Sequence, residues 1–413
     1  MTFVTPSSLV DAIRSGETPS FETLKEVLGG IFPLLGELHI TPQDPEWHGE
    51  GNVEVHTALV LEQVYALLQD EAAHLSPEKR TILILGALLH DTGKPLTTRT
   101  SLVRGRERIV SPRHADRGRS HLAYRLPELD LSPAEIAGVM ALVGHHHDPK
   151  RLVMDDAPDS AYRRLARLAP LELVYWLERA DLKGRLSRDL EEQLDTLELF
   201  KLFAQEVGVW SVSDPYADWR EVIHAELSAL DRETRAVTLR QGILDAEAGR
   251  ISTPHEAIAR GYPFREGFAH LALMCGPSGA GKSSWIAEHL NEFHVVSLDD
   301  IREELTGGHN DQSKNGQVLQ RAKAQLRTHL RNKAQVVWDA TSLTKNQRSA
   351  VLALGFDYGA LTTLIALQPA ASDLFARNRT RRDAVPDPVL TAQIAKTDFP
   401  YADEAHRVIL GST

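Results

Sequence analysis

A glycine-rich segment that ends in lysine and serine, GPSGAGKS at residues 276–283, has the spacing of a phosphate-binding loop. Glycines let the backbone curl so that several N–H groups face one anion. The lysine reaches the outer phosphates of a nucleotide, and the serine hydroxyl binds Mg²⁺. The motif therefore predicts a site for ATP or another nucleoside triphosphate together with Mg²⁺. The residues expected to form this site are Gly276, Gly279, Gly281, Lys282, Ser283 and Ser284.

An aspartate and an arginine follow the next apolar run, Phe293 to Leu298. A carboxylate at the carboxyl end of a strand lies in the crevice where sheets of this kind bind their ligands. Asp299 can there accept a proton from an incoming hydroxyl, and Arg302 can orient an acceptor phosphate. A purely structural alternative makes Asp299 the N-cap of the following helix, a role that Asp300 also fits.

Four arginines lie within the six residues 377–382, shortly before Val385 and Pro386. This density exceeds what solubility requires, and it suits a lid that closes over a triphosphate and stabilises the transferring phosphoryl group. We therefore expect this arginine-rich segment to contact the nucleotide.

The first half of the chain contains histidines and aspartates that interrupt apolar helical stripes over about 125 residues. Imidazoles and carboxylates that converge from different helices can bind a divalent cation and leave positions open for water and substrate. The alternative is that each side chain separately caps a helix, fills a core or lies on the surface. Considered together, the set favours a metal site. Its members are His56, His90, Asp91, His114, one of His145 to His147, and Asp181.

Two kinds of element must position these residues. Apolar residues at helical spacing predict helices through most of residues 53–183, and one stripe, Ile82 to Leu89, ends directly at His90. Four apolar runs in the last 145 residues predict buried strands at 271–275, 293–298, 335–339 and 361–368. Residues 186–250 have helical spacing and no motif for chemistry, and Gly249 to Gly267 is the best boundary.

Composition limits the class of protein. A chain of 413 residues is too long for one core, and 42% apolar with 25% charged residues is typical of a soluble globular protein. The net charge of −11 argues against a broadly basic surface, although the basic run in 315–333 fits either a solvated face or a nucleic-acid groove. The single cysteine excludes an internal disulfide. Without a signal peptide or an apolar run of membrane length, the sequence predicts a cytoplasmic protein with no membrane partner.

The order H, HD, H, H, D resembles the HD-domain metal phosphohydrolases over about residues 45–185. The stretch from His114 to Gly118 and on to Arg125-Leu126 is similar to HD domains associated with tRNA nucleotidyltransferases. The resemblance implies a helical bundle with a divalent transition metal such as Mn²⁺, Ni²⁺ or Co²⁺. It assigns His56, His90, Asp91 and Asp181 to a first ion, His114 and His146 to a second ion or the substrate phosphate, and Lys94 and Arg185 to a phosphate oxygen.

The segments GPSGAGKS, LDDIR, DATS with Arg348 downstream, and RNRTRRDAVP resemble the 5′-OH polynucleotide kinase branch of P-loop phosphotransferases over nearly all of residues 268–410. This likeness makes Asp299 the general base and Arg302 the residue that holds the acceptor phosphate. It also makes Arg377 and Arg381 lid arginines that contact the nucleotide, with Arg382 as the alternative to Arg381. One departure is Ser342, which stands where asparagine is usual.

An HD domain followed by such a kinase resembles the bacterial HD-Pnk family, which heals nucleic-acid breaks. The resemblance implies an all-α HD bundle at 1–185, a helical connecting region at 186–267 and an α/β P-loop domain with a parallel sheet at 268–413. It also implies hydrolysis of 2′,3′-cyclic or 2′-phosphate ends, 5′ phosphorylation, RNA or DNA ends as substrates, and a nucleic-acid ligase as partner. Two alternatives stay open: a nucleotide phosphohydrolase fused to a small-molecule kinase, and a regulatory HD protein gated by ATP.

Overall fold

The computed structural model describes residues 5–308, 313–381 and 384–411. These residues form two compact units, which divide between Pro215 and Tyr216. The first is mostly helical and the second contains a five-stranded parallel sheet, so the predicted order of an α-helical bundle and then an α/β domain is confirmed. Among the described residues, no helix combines the length and apolar character needed to cross a bilayer.

The first unit is built from helices and one two-stranded hairpin. Its elements are α1 Pro6–Arg14, α2 Phe21–Leu28, α3 Val53–Gln69, α4 Pro77–Leu89, β1 Arg99–Val103, β2 Arg106–Val110, α5 His114–Leu122, α6 Pro133–His145, α7 Asp148–Met154, α8 Asp159–Leu168, α9 Leu171–Lys183 and α10 Leu190–Glu206, with 3₁₀ turns at Pro33–Ile40, Lys94–Leu96 and Leu126–Glu128.

The second unit alternates helices and strands. Its elements are α11 Ala217–Glu226, α12 Arg232–Glu247, α13 Pro254–Arg260, β3 His270–Cys275, α14 Lys282–His289, β4 His294–Ser297, α15 Leu298–Thr306, α16 Asn315–Arg331, β5 Gln335–Asp339, α17 Lys345–Asp357, β6 Leu361–Leu367, α18 Ala371–Thr380, α19 Asp387–Lys396 and β7 Arg407–Gly411, with a 3₁₀ turn at Tyr262–Glu266. The predicted connecting region is thus divided, because α10 belongs to the first unit and α11 to α13 belong to the second.

Helix α4 is the central element of the first unit. Its residues from Thr81 to Leu89 are all buried, and it contacts α1, α3, α6 and α9. The helix begins where Ser76 accepts a hydrogen bond from the N–H of Lys79, with Pro77 in its first turn. Because a helix packed on all sides cannot shift easily, its carboxyl end holds the following His90 and Asp91 in fixed positions.

The hairpin of β1 and β2 is an element that the sequence did not predict. Its strands pair antiparallel, with Arg99 opposite Val110 and Val103 opposite Arg106. The two turn residues, Arg104 and Gly105, have φ of 50° and 78°. Positive φ at both positions is typical of a type I′ turn, for which Asn-Gly is the usual sequence signal. Arg-Gly does not carry that signal, which explains the omission.

The sheet of the second unit has the strand order β4-β5-β3-β6-β7, with all neighbouring pairs parallel. Strand β3 lies in the centre between β5 and β6, and the phosphate-binding segment begins where β3 ends. Both faces of a parallel sheet are normally covered, and all seven residues of β6 are buried. The four predicted strands are present, and the structure adds β7 at the edge.

A buried histidine makes the stability of the second unit depend on pH. Nδ1 of His406 accepts a hydrogen bond from the N–H of Thr362 at 3.0 Å, and Nε2 donates to Oε1 of Gln241 at 2.8 Å. Burial, with a smaller contribution from Arg240, lowers the pKa of His406 to about 4 from 6.5. Protonation would also break the bond from Thr362, since both ring nitrogens would then be donors.

We expect the free energy of unfolding to be highest above pH 6.5 and to fall as the pH drops towards about 4, because only the unfolded state takes up the proton in that window. Midway through this window, the loss from this one group is roughly 2 kcal/mol. Urea unfolding of His406→Gln should show a weaker pH dependence than the parent protein. The exposed His224→Gln is the control, and an equal pH dependence in parent and His406→Gln would contradict the assignment.

Candidate metal centre and phosphate-binding loop

The side chains predicted for a first ion come from three helices of the first unit. His56 lies on α3 and Asp181 on α9, while His90 and Asp91 directly follow α4. Nε2 of His56 is 2.8 Å from Oδ1 of Asp181 and 3.8 Å from Oδ2 of Asp91. Nε2 of His90 is 3.3 Å from the same Asp91 oxygen. All four side chains are buried, so their donor atoms converge inside the unit.

Three further histidines lie on the other side of Asp91. Nε2 of His114 is 3.3 Å from Oδ1 of Asp91, 3.3 Å from Nε2 of His146 and 3.2 Å from Nε2 of His147. His145 instead shares a hydrogen bond with Asp148 through its Nδ1, at 2.7 Å. The structure therefore brings both His146 and His147 to the cluster, whereas the resemblance named His146 alone of the three neighbours.

Backbone hydrogen bonds orient the imidazoles. Nδ1 of His90, of His114 and of His146 each lies 2.8–2.9 Å from the carbonyl oxygen three residues earlier in the chain. A carbonyl only accepts, so Nδ1 carries the proton and the lone pair of Nε2 faces the cluster. This arrangement fixes the tautomer and the ring direction that a metal ligand needs.

The charges of the cluster depend on burial and on neighbouring groups. Burial lowers the pKa of His114, and it lowers the pKa values of His146 and His147 well below the ordinary range. These rings are therefore neutral at pH 7 and can donate lone pairs. Burial opposes ionisation of Asp91, but Lys94 and His90 outweigh it and hold the pKa of that carboxyl well below its usual value.

The donor set fits a divalent metal ion. Within the part of the chain that the structure describes, Nε2 of His90 and Oδ1 of Asp91 are buried and make no hydrogen bond, while Oδ2 of Asp91 pairs with Lys94. Unsatisfied buried polar atoms are costly unless a ligand satisfies them. Two separate triads each have donor atoms within 4.8 Å of one another, and mixed nitrogen and oxygen donors suit borderline divalent cations. The triads are His56, His90, Asp181 and His114, His146, His147.

The two predicted phosphate contacts, Lys94 and Arg185, lie at this cluster and pair with its carboxylates. Nζ of Lys94 is 2.7 Å from Oδ2 of Asp91 and donates to Oε1 of Gln43 at 2.6 Å. Arg185 donates two hydrogen bonds to Asp181, one of them from Nε at 3.1 Å. Both cations thus favour the ionised form of the carboxylates.

Two buried glutamates near the cluster were missed by the sequence prediction. Oε1 of Glu50 is 3.0 Å from Nδ1 of His56, so it can orient that ring. Glu178 lies one turn before Asp181 on α9, with Oε1 2.9 Å from Nζ of Lys150. The only sequence signal for Glu178 is an acid three residues before Asp181 in an otherwise apolar stripe, and Glu50 lies in a loop without periodicity.

The glycine of His90-Asp-Thr-Gly-Lys has a steric role. A Cβ atom on Gly93 would lie 1.9 Å from the carbonyl oxygen of His114 and 2.6 Å from the N–H nitrogen of Gly118. Any larger residue would push α5 away. Gly93 therefore allows His114 to approach the carboxyl end of α4 closely.

In the second unit, the predicted phosphate-binding loop joins β3 to α14. Gly279 and Gly281 have φ of 82° and 93°, a region that favours glycine. Lys282 is the first residue of α14, and its Nζ donates to the carbonyl oxygens of Gly276 and Pro277, both at 3.0 Å. Ser283 is exposed next to it. A loop at a helix N-terminus with such backbone geometry can hold a phosphate.

The predicted base and its arginine lie on α15. Arg302 donates a hydrogen bond to Oδ1 of Asp299, whose side chain is 74% exposed. Ser297 caps the helix by accepting a hydrogen bond from the N–H of Asp300, so the structural alternative in which Asp299 or Asp300 is the N-cap is wrong. Burial raises the pKa of Asp339 at the end of β5, and nearby Asp299 adds to this effect.

Helices α18 and α19 pack on the loop and bring the predicted lid arginines with them. A Cβ atom on Gly279 would lie 3.2 Å from the carbonyl oxygen of Leu374, and Oε1 of Gln393 accepts a hydrogen bond from the N–H of Ser278 at 2.8 Å. Arg377 lies on α18, and Arg381 follows its end. The alternative lid residue, Arg382, lies outside the described residues.

Arg348, which is part of the resemblance to kinases, is buried and bonded to other protein groups. Its side chain is fully buried and pairs with Glu404 through Nε at 2.7 Å, while Nη1 donates to the carbonyl oxygens of Ser342 and Leu343. These bonds tie α17 to the loop after β5. Removing either partner would leave an unpaired buried charge.

Family models match both units. A model of the HD domain matches residues 54–181, and a model described as an AAA domain matches residues 271–400. The chain is therefore an HD domain followed by a P-loop domain of kinase-like type. HD domains hold divalent metals and P-loop domains bind nucleotides, which agrees with the cluster and the loop described above.

Curated relatives match only part of the chain. The multifunctional CCA protein of Thioalkalivibrio sulfidiphilus (strain HL-EbGR7) is 28% identical over 177 residues, which cover 40% of this chain and 38% of that protein. The multifunctional CCA proteins of Actinobacillus pleuropneumoniae serotype 5b (strain L20) and Shewanella frigidimarina (strain NCIMB 400) are 38% and 34% identical over 84 and 91 residues. The chain thus spans about a fifth to two fifths of the length of these relatives.

Proposed function

We propose that this chain, an HD domain joined to a P-loop domain, heals broken nucleic-acid ends by two separate activities. The HD domain is a metal-dependent 2′,3′-cyclic phosphodiesterase and 2′-phosphatase. The P-loop domain is a 5′-hydroxyl polynucleotide kinase that uses ATP or another nucleoside triphosphate. The observation that supports the proposal is that one compact unit contains a buried cluster of histidines and aspartates suited to a metal ion, and the other contains the GPSGAGKS loop. Joining a broken strand requires both a free 3′ hydroxyl and a 5′ phosphate, which explains the pairing.

In the HD domain, His56, His90, Asp91 and Asp181 would hold the first ion, and His114 with His146 or His147 the second ion or the substrate phosphate. A divalent ion bound there would supply a nucleophilic water at neutral pH and offset charge on the phosphoryl oxygens. The protein itself fixes the rings through their Nδ1 protons. Lys94 and Arg185 hold the carboxylates ionised and can contact the substrate phosphate.

In the P-loop domain, the backbone N–H groups of the loop and Lys282 would bind the β- and γ-phosphates, and Ser283 would bind Mg²⁺. Asp299 would accept the proton of the 5′ hydroxyl while the hydroxyl oxygen bonds to the γ-phosphorus. The bond from that phosphorus to the bridging oxygen breaks, and the nucleoside diphosphate leaves. Arg302 would hold the acceptor phosphate. Arg377 and Arg381 would stabilise the charge on the transferring group.

Substrate class is the part of the proposal that the relatives support. The name of these relatives, multifunctional CCA protein, is consistent with nucleic-acid substrates for the HD domain of this chain. RNA or DNA ends are therefore the proposed substrates, a nucleic-acid ligase is the proposed partner, and the cytoplasm is the proposed location. The metal at the HD site is proposed to be Mn²⁺, Ni²⁺, Co²⁺ or a similar ion.

The test uses the purified full-length protein with γ-labelled ATP and 5′-hydroxyl oligonucleotides of RNA and of DNA. We expect label on the oligonucleotide, and in a parallel assay with Mn²⁺ we expect phosphate release from an oligonucleotide with a 2′-phosphate end. Label transfer to nucleosides alone would favour a small-molecule kinase. ATP binding without any transfer, unchanged in Asp299→Ala, would favour an ATP-gated regulatory protein.

A further inference from the structure

We infer that the hairpin of β1 and β2 is a docking surface for the sugar-phosphate backbone of a single-stranded nucleic acid whose end enters the metal centre. The identity of the strand end rests on the proposed function. The class of ligand is inferred from the hairpin itself.

The hairpin and the residues just after it are strongly basic. Residues 99–113 contain five arginines and one acidic residue, Glu107, in a chain whose net charge is −11. Such a local excess of positive charge on an acidic protein is the electrostatic pattern of a site for a polyanion. The sequence alone did not single it out, because the hairpin was not predicted.

The pairing register places the strand arginines on one face. Residues directly opposite each other in an antiparallel pair share a face, and every second residue of a strand returns to it. Arg106 is opposite Val103 and Arg108 is opposite Ser101, so both share the face of Arg99. Glu107, opposite Leu102, lies on the other face. The hairpin thus separates its arginines from its one carboxylate.

The outer arginines are available to a ligand. Arg108 is held by Asp44, at 2.9 Å, and by Glu46, which anchors the hairpin to the preceding loop. Arg99, Arg104 and Arg106 are exposed, and none of the three pairs with a carboxylate in the described residues. Arg104 and Arg106 lie at the turn and Arg99 at the start of β1, and exposed cations along a hairpin can bind phosphate.

Both ends of the hairpin are joined to the metal centre. The N–H of Thr98 donates to the carbonyl oxygen of Lys94 at 2.9 Å, and the hydroxyls of Thr98 and Ser111 are 2.7 Å apart. The carbonyl oxygen of Ser111 accepts from Nδ1 of His114 at 2.8 Å. The hairpin therefore begins at the edge of the centre and extends for about 17 Å, given about 3.4 Å per strand residue.

An aromatic side chain next to the hairpin favours a nucleic acid over an acidic peptide. Trp47 is 44% exposed, and Cζ of Arg108 lies 5.1 Å from its ring centroid. Arginine guanidinium groups bind phosphate, and exposed aromatic rings stack with unpaired bases. An acidic peptide would use the charges but has no bases to stack on the indole.

The first test measures binding of a fluorescent single-stranded RNA to the full-length protein by anisotropy over a range of salt concentrations. The triple variant Arg99→Ala, Arg104→Ala, Arg106→Ala should bind about tenfold or more weakly at low salt, with a dependence of log Kd on log salt that is flatter by about 2, because each lost phosphate contact on a single strand accounts for about 0.7. The triple arginine-to-lysine variant should keep the slope, since lysine retains the charge.

A matched control removes positive charge from the other end of α4. Lys79 and Arg80 lie in its first turn, far from His90, and their double alanine variant should bind RNA as the parent protein does. Equal affinity of the parent and the triple alanine variant, or no binding by the parent, would overturn the inference. An equally large loss of binding to polyglutamate or to phosphatidylserine vesicles would overturn the assignment to nucleic acid.

A second measurement separates this inference from the proposed function. In the triple alanine variant, KM for phosphate release from a 2′-phosphate oligonucleotide should rise, while kcat/KM for the mononucleotide 2′-AMP stays within about twofold of the parent, because a mononucleotide does not reach the hairpin. RNA binding that weakens in the variant, in a protein that releases no phosphate, would reject the function and keep the docking surface. Normal phosphate release with unchanged KM would reject the docking surface alone.

Discussion

Replacing Asp91 by asparagine is expected to lower metal-dependent phosphate release from 2′- or 2′,3′-cyclic ends by on the order of a thousandfold. Asp91 lies between the two halves of the cluster, with Oδ2 3.3 Å from Nε2 of His90 and Oδ1 3.3 Å from Nε2 of His114. Its two oxygens thus face one histidine from each group. The amide keeps the shape of the side chain and removes the negative charge, so the loss would report on the charge rather than on packing.

The expected loss has a binding counterpart that can be measured without catalysis. Calorimetric titration of Mn²⁺ into the metal-free protein should show a large decrease in affinity for Asp91→Asn, because a carboxylate is a far better ligand for a divalent cation than an amide. The control is Asp148→Asn, since Asp148 bonds to His145 and lies outside the cluster. A parent-like rate or affinity in Asp91→Asn would refute the HD site as assigned.

Adjacent histidines offer a second comparison at the same centre. His146→Ala should impair phosphate release strongly, whereas His145→Ala should leave it near the parent value, since only the former ring meets His114. The two substitutions remove the same chemical group from neighbouring positions. A different effect on activity would therefore reflect the direction of each ring.

Much of the site's layout followed from the sequence because of where the helices end. Ile82 to Leu89 is an apolar stripe that stops at a His-Asp pair, and a buried helix can place polar residues inside a protein only at its end or at a gap in its apolar surface. In the same way, the GPSGAGKS motif indicates that the strand before it lies in the centre of a parallel sheet. Periodicity and motif spacing carry this information locally.

The contacts that depend on tertiary packing did not follow from the sequence. Which of the three consecutive histidines reach His114 depends on how α6 ends. The direction of a side chain turns by about 100° from one residue to the next along a helix. Glu50 contacts His56 from a loop with no repeat to read. The hairpin formed although its turn residues, Arg104 and Gly105, lack the common turn signature. Each of these features requires knowledge of neighbours that are distant in the chain.

Lys282→Ala is expected to reduce ATP-dependent phosphorylation of a 5′-hydroxyl oligonucleotide by at least about a hundredfold while leaving metal-dependent phosphate release unchanged. Lys282 belongs to the second compact unit, and the metal ligands belong to the first. Burial lowers the pKa of Lys282, and nearby Asp339 opposes this effect. In this structure its ammonium group is bonded to the carbonyl oxygens of Gly276 and Pro277, bonds that it must exchange for phosphate oxygens when a nucleotide binds.

The chain offers a closely matched control for this substitution. Lys345 is also the first residue of a helix in the second unit, α17, but it is exposed and follows no glycine-rich loop. Lys345→Ala should phosphorylate oligonucleotides at the parent rate, so a general effect of removing a helix N-terminal lysine can be separated from loss of a phosphate ligand. Label transfer and phosphate release are measured on the same preparation of each variant. Loss of both activities in Lys282→Ala would contradict two independent sites, whereas loss of label transfer alone is the result that independent sites require.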